Sequence, residues 1–211
     1  MKFLSIDSKF IAFLTRIADL MILNMIYILC CIPIFTIGAA TTALYTVVFR
    51  LGTVREAGVV KPFFAAFRSN FKQATILWMI FLPIAALLMF NISFASNMEN
   101  WIHYLFIFFA LLLAGVLFAG AYAFPLLSQF ENSTKQLVHN AILLSLGYFP
   151  KTILITAINV LPVVLMMRMP LLFLNLWVVW FAFYASVSAY LNTKLFRKIF
   201  APFMPEQGEE A

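Results

Sequence analysis

The apolar run from Ile17 to Phe49 constrains the fold of this chain more than any other feature. As one helix it would be roughly 50 Å long at about 1.5 Å per residue, whereas the apolar core of a bilayer is about 30 Å thick. Basic residues flank the run on both sides, and basic loops are retained in the cytoplasm. We therefore expect both ends of the run on the same side of a membrane.

Two residues in the middle of the run favour a break. Pro33 disfavours helix at the preceding residue and has no N–H to donate, and Gly38 accepts the backbone angles of a turn. The sequence predicts two short helical arms, about Ile17–Ile32 and Ala39–Arg50, joined by a turn that contains both residues. The arms either cross the membrane fully or form a re-entrant hairpin whose apex is buried by protein, and the sequence leaves both open.

The rest of the chain is equally apolar. Hydrophobic residues make up 64% of the 211 residues and charged residues only 10%, which is too apolar for one soluble domain. The runs are continuous and do not alternate, which argues against membrane strands. We predict a single all-α domain, residues 1–211, with the broken or re-entrant hairpin first and four transmembrane helices after it. These four are expected at about Ala74–Ala95, Ile102–Phe124, Thr152–Met167 and Leu171–Leu191.

The distribution of lysine and arginine predicts the orientation. In this layout every basic residue except Arg168 lies on one side, so both termini are expected in the cytoplasm of a bacterial cell, with the spans in the plasma membrane. The net charge of +6 then indicates contact with anionic lipid headgroups, and no motif typical of nucleic-acid binding occurs.

Small polar residues in the first run are candidate functional positions. Thr36, Thr41 and Thr42 can return hydrogen bonds to backbone carbonyls and to a neighbouring helix, or they can line a polar path. Gly38 and Thr42 also form a pair of small residues four apart, a spacing that permits close helix approach. Packing and a polar path both remain open as interpretations.

Two further polar positions lie in apolar segments. Asp19 is the one acidic residue in a predicted span, and Arg16, three residues earlier, offers a local ion pair as the alternative to a functional carboxylate. Asn159 lies three residues before Pro162, where its amide can bond across helices, replace partners lost at a kink, or contact a substrate.

Amphipathic segments next to the spans are expected to lie on the membrane surface. The first is Pro62–Gln73, the second is Ser133–Phe149 with a predicted capping box between Ser133 and Gln136, and the third is Thr193–Phe203. They either rest on lipid headgroups or dock a partner. The residues expected to make these contacts are Phe63, Phe67, Arg68, Phe71, Lys72, Arg197 and Lys198.

No motif with known chemistry occurs in the sequence. Phosphate-binding loops, zinc-protease helices, nucleophile elbows and dinucleotide fingerprints are all missing, and the two histidines have few acidic neighbours. We therefore expect no metal, no cofactor and no enzymatic activity.

Three stretches resemble the YesL-like family of bacterial integral membrane proteins, a domain family of unknown function. They are CIPIFTIGAATTALY (31–45), FFAAFRSNFKQATILW (63–78) and FPLLSQFE (124–131). The resemblance implies a multi-pass membrane protein. Members of the family are often associated with carbohydrate uptake systems of the ABC type, so it also implies an accessory role in sugar uptake, without any catalytic residue to carry over.

Two functions follow as hypotheses. The first is a non-enzymatic accessory or regulatory protein that contacts a subunit of a carbohydrate transporter. The alternative is a small-molecule transporter or channel that acts alone or through self-association, since discontinuous helices often build binding sites.

Overall fold

The computed structural model describes residues 3–51, 58–98 and 103–203, with side chains from Phe10 onward. These residues are mostly helical and contain no strand, which confirms the all-α class. In chain order the helices are α1 (Phe3–Cys31), α2 (Ile37–Arg50), α3 (Val60–Ser96), α4 (Leu105–Gln129), α5 (Thr134–Gly147), α6 (Phe149–Arg168), α7 (Pro170–Asn175), α8 (Trp177–Val179) and α9 (Ala185–Phe200).

Among the described residues, four helices are long and apolar enough to cross a membrane. They are the Phe10–Cys31 part of α1 together with α3, α4 and α6, and their mean hydropathies lie between 1.7 and 2.4. The spans expected at 74–95 and 152–167 lie within α3 and α6, and the span expected at 102–124 overlaps α4 from Leu105 onward. The side of the membrane on which each loop lies stays a prediction.

The helix break predicted at Pro33 is present. α1 ends at Cys31, Pro33 has an extended backbone (φ −76°, ψ 114°), and a short 3-10 turn, Ile34–Thr36, leads into α2. The Thr36 hydroxyl lies 2.5 Å from the carbonyl oxygen of Cys30 and 2.6 Å from that of Pro33, and it can donate to either. Thr36 can thereby hydrogen-bond to the Cys30 carbonyl, which has no helical donor at the C-terminus of α1. This contact is the one expected if the threonines return hydrogen bonds to backbone carbonyls.

The turn role predicted for Gly38 was wrong. Gly38 is the second residue of α2 and is fully within the helix. A Cβ atom at this position would lie 2.5 Å from the Ala74 carbonyl oxygen, 2.8 Å from the Trp78 Cβ and 3.0 Å from the Phe124 Cε1. The residue is therefore small because α2, α3 and α4 approach each other there, which agrees with the small-residue spacing.

The amphipathic segment predicted at 62–73 is the first part of α3, a single helix of 37 residues. Phe63 is fully buried and Phe67 and Phe71 pack partly buried against the core, with ring centroids 6.2 and 5.5 Å apart along the row. Arg68 and Lys72 are exposed. The assignment of Phe63 to the membrane surface was therefore wrong, because the phenylalanine side of this segment contacts the protein.

The capping box predicted before α5 is present. The Ser133 hydroxyl accepts the N–H of Gln136 at 3.4 Å, and the Gln136 side chain accepts the N–H of Ser133 at 3.3 Å. The helix ends at Gly147, and Pro150 occupies the first turn of α6, where a missing N–H costs nothing. α5 packs against the bundle through the buried residues Leu137, Ala141 and Ser145.

The continuous helix predicted at Leu171–Leu191 was wrong. The segment consists of α7, α8, a π-helical stretch at Trp180–Tyr184 and the beginning of α9. The buried side chain of Asn24 donates to the Phe181 carbonyl at 2.7 Å and accepts the Ser186 N–H at 3.0 Å. These two backbone groups are five residues apart, the spacing of a π-helical pair. An amide from α1 thus serves groups that a regular α-helix would pair internally.

The C-terminal half of α9 is part of the core. Phe196, Ile199 and Phe200 are fully buried, and Phe196 meets Tyr45 and Tyr122 with ring centroids 5.8 and 5.1 Å apart. The sequence left lipid headgroups and a partner open for this apolar side, and neither was right for Phe196, Ile199 and Phe200, because α2 and α4 cover them.

Candidate functional site: a cavity inside the helix bundle

A cavity of about 500 Å³ lies between α1, α2, α3, α4, α6 and the last helical segment. Its volume falls within the range of about 300–1,000 Å³ that small-molecule sites occupy. Most of its wall consists of Leu, Ile, Val, Ala and Phe side chains, and no charged side chain occurs among the described residues that line it. The cavity is therefore an apolar chamber with a small number of polar groups.

Most polar groups of the wall are already engaged with the protein. The Thr41 hydroxyl donates to the Ile37 carbonyl at 2.8 Å and lies 3.4 Å from the Tyr27 hydroxyl. The Asn159 carbonyl oxygen accepts from the Asn192 amide at 2.9 Å, a bond between α6 and α9. These contacts hold the surrounding helices together.

The Tyr184 hydroxyl is a third polar group of the wall that is already hydrogen-bonded, and a proline explains its contact. Pro162 in α6 has no N–H, so the carbonyl of Ile158, four residues earlier, loses its helical donor. The Tyr184 hydroxyl, which belongs to the π-helical stretch, donates to that carbonyl. Tyr184 therefore replaces the donor that Pro162 removes, which was one of the alternatives for Asn159. Asn159 forms the hydrogen bond across helices, which was another.

Two polar groups of the wall have no partner among the described residues. They are the indole nitrogen of Trp78 and the hydroxyl of Thr156, and both atoms are buried. An indole N–H can only donate, whereas a hydroxyl can donate and accept. Buried polar groups in proteins normally have a partner, so these two atoms are available to a molecule that enters the cavity.

The structure brings together two of the sequence-predicted positions and separates the others. Thr41 and Asn159 line the same cavity, from α2 and α6. Thr42 is fully buried and donates to the Gly38 carbonyl at 3.0 Å within its own helix, and Thr36 serves the end of α1. For Thr36 and Thr42 the observed contacts are those of packing.

Some contributors to the site were missed from sequence. Trp78, Thr156 and Tyr184 lie in apolar runs that predict only lipid-embedded helix. For Tyr184 a signal exists, because Pro162 frees the Ile158 carbonyl and a donor is required on a neighbouring helix. For Trp78 no signal of this kind exists in the sequence.

A second cavity of about 750 Å³ lies between the C-terminal ends of α2 and α4 and the beginning of α3. Its wall is polar and includes Arg50, Glu131 and Gln73, whose side-chain amide donates to the Asn132 carbonyl at 2.7 Å. This bond ties α3 to the segment that joins α4 and α5. The cavity overlaps two of the three stretches that resemble the YesL-like family.

The predicted surface residues have varied surroundings. Arg16 is exposed and Asp19 is half-buried, and within the described side chains no ion pair joins them. Arg197 is exposed but donates to the Phe49 carbonyl at 2.7 Å, at the C-terminus of α2 where a cation is favourable. Lys198 is exposed.

No metal centre is found among the described side chains. Across residues 10–51, 58–98 and 103–203, no group of three or more His, Cys, Asp or Glu side chains is placed to hold an ion.

Comparison with known proteins adds one result. Residues 20–92 match the family model described as "Protein of unknown function, DUF624", which covers about a third of the chain. The YesL-like proteins belong to this family, so the resemblance seen in the sequence is confirmed. The matched part includes α2 and most of α3. No curated protein and no solved structure matches the chain.

Proposed function

We propose that the chain is a non-enzymatic accessory or regulatory membrane protein of carbohydrate uptake, and the match of residues 20–92 to the DUF624 family model supports the resemblance on which this proposal rests. It would reside in the plasma membrane of a bacterium, with both termini in the cytoplasm. The process comes from the family resemblance, and the absence of any catalytic motif in the sequence supports a role without chemistry.

The chemistry of the bundle cavity is the observation that carries the choice of an accessory role. A sugar has a hydroxyl on nearly every carbon, and each hydroxyl that loses water without gaining a partner costs about 1–3 kcal/mol. The cavity offers few polar groups, and Thr41, Asn159 and Tyr184 are already bonded within the protein. A sugar would lose more hydrogen bonds there than it gains, which favours assistance to a transporter over direct sugar transport.

The exposed basic residues supply a surface for such assistance. Arg68 and Lys72 lie one turn apart on the exposed side of α3 and attract anionic lipid headgroups or an acidic partner surface. A polar cavity with Gln73 in its wall lies along the same part of α3.

Affinity purification from membranes in mild detergent tests the proposal. We expect the tagged chain to recover membrane-spanning or nucleotide-binding subunits of a carbohydrate transporter, identified by mass spectrometry. The K72E variant should recover less of the partner, whereas K135E, a charge reversal at an exposed residue of α5, should not. Repeated purification without any transporter subunit would reject the accessory role.

A small-molecule transporter or channel remains the second candidate. It is favoured by two departures from regular helical hydrogen bonding around the cavity, the missing N–H of Pro162 in α6 and the π-helical stretch at Trp180–Tyr184. Flux measurements in liposomes, with sugars, ions and neutral apolar solutes tested separately, decide this candidate. Flux of no solute above protein-free liposomes would reject it.

A further inference from the structure

We propose that the bundle cavity is a binding site for a neutral, mostly apolar molecule that carries a hydrogen-bond acceptor and enters from the bilayer. The ligand class goes beyond the accessory role proposed above, and it follows from the charge, polarity and unpartnered groups of the wall. Each of these properties excludes a different class of ligand.

The charge of the wall excludes ions and charged metabolites. No Lys, Arg, Asp or Glu is found among the described residues that line the cavity. An ionic group would have to leave water for an apolar chamber without a counter-charge, and this transfer is strongly unfavourable. The occupant is therefore uncharged.

The unpartnered groups define what the occupant must offer. The Trp78 indole N–H is buried without an acceptor in the described part of the chain, and it has no other hydrogen-bonding mode. A carbonyl, ester or ether oxygen would accept from it. The Thr156 hydroxyl of α6 is also buried without a partner among the described residues and is available to a second polar atom.

The path to the cavity starts in the lipid. Leu117 lines the cavity and is also 40% exposed on the outer surface of α4. Elsewhere on the same helix Leu111 and Leu112 are apolar and exposed, as expected for a helix that contacts lipid. On this proposal, a molecule dissolved in the bilayer enters the cavity beside Leu117 without passing through water.

Photolabelling with benzophenone tests the site, because this probe is neutral, apolar and carries one carbonyl. The purified full chain in lipid nanodiscs is irradiated with the probe, and the labelled residues are mapped by mass spectrometry. We expect saturable labelling of the segments 78–85, 116–125 and 156–160. The charged analogue 4-benzoylbenzoate should label them at least about tenfold less.

Two variants separate the cavity from the general lipid surface. Gly120 lines the cavity and has open space where a side chain would lie, so G120L fills the cavity without a clash at its Cβ. G115L is the matched control, because Gly115 lies on the same helix, has the same free space and does not line the cavity. Labelling should disappear in G120L and persist in G115L.

The role of the indole donor has its own measurement. W78F keeps an aromatic ring but removes the N–H, so a competing ketone should bind about fivefold more weakly. Diphenylmethane, which has the same two rings and no carbonyl, should compete equally well against both forms. Three results would each overturn the proposal: labelling that does not saturate, equal labelling by the charged probe, and unchanged labelling in G120L. The cavity would then be a space without a specific ligand. G120L keeps Trp78 intact, so the test stands if W78F fails to fold.

Discussion

Replacement of Gly38 by alanine tests the packing argument most directly. The new Cβ would lie 2.5 Å from the Ala74 carbonyl oxygen, about 0.9 Å closer than ordinary contact, and 2.8 Å from the Trp78 Cβ. Both neighbours are attached to the backbone of α3 and cannot rotate away. The substitution therefore forces α2 and α3 apart by several tenths of an ångström.

The magnitude follows from two opposing effects. Overpacking of this kind costs about 1–3 kcal/mol, whereas the change from glycine to alanine favours a helix interior by up to about 1 kcal/mol. Gly38 lies in the first turn of α2, so it gains only part of that preference. We expect G38A to lose about 1–2 kcal/mol. G115A, with no atom within 4 Å of its new Cβ, should gain up to about 1 kcal/mol.

Unfolding of the purified variants in mixed detergent micelles measures this difference. The midpoint of the transition, followed by circular dichroism as the fraction of dodecyl sulfate rises, should be lower for G38A than for G115A. The corresponding leucine variants should enlarge the gap, since leucine adds more atoms at the same contact. Equal midpoints for the two alanine variants would refute the close approach of α2 and α3 at this residue.

Three further predictions concern the last helical segment and the orientation. N24A removes two hydrogen bonds to the π-helical segment and should cost about 1 kcal/mol of unfolding free energy in the same micelle assay. Y184F should cost about 0.5–1.5 kcal/mol, and the cost should fall in a P162A background, because alanine restores the missing N–H. In a chain whose native cysteines are replaced, N97C should react with an impermeant thiol reagent from outside intact cells, and G58C should not.

Each of these predictions has a control or a contrary outcome. N91A is matched to N24A, because the Asn91 amide donates only to the Leu87 carbonyl of its own helix, and it should change stability less. If Y184F lost the same unfolding free energy with and without Pro162, the Tyr184 hydroxyl would not be compensating for the missing proline N–H. Labelling at residue 58 from outside, with protection at residue 97, would reverse the predicted orientation.

The features that the sequence predicted correctly depend on interactions between residues that are close in the chain. The break at Pro33 and the capping box at Ser133 each depend on residues within a few positions, so the pattern is complete in the sequence. The long helices follow from apolar runs near the roughly 20 residues that a bilayer-spanning helix needs. The match of residues 20–92 to the DUF624 family includes two of the three stretches on which the resemblance was based, 31–45 and 63–78, and does not extend to 124–131.

Distant pairings explain what the sequence did not predict. The phenylalanine row that begins at Phe63 has the same spacing whether lipid or protein covers it, and only the packing of α3 decides. The pair expected between Arg16 and Asp19 fails because a long exposed side chain gains little from a surface ion pair and loses freedom by forming it. Asn24 shows no local sign of its partners, which lie more than 150 residues away.

The buried amide of Asn24 also has a consequence for how the protein is made. Its acceptor, the Phe181 carbonyl, is synthesised 157 residues later, after the chain has delivered three other long apolar helices to the membrane. Until then, the Asn24 amide of α1 lies in the apolar core of the bilayer, where neither a protein partner nor water is present to bond it. α1 therefore reaches its final state only after the Phe181 carbonyl has been made, and a chain truncated before residue 181 should leave the Asn24 amide without this partner.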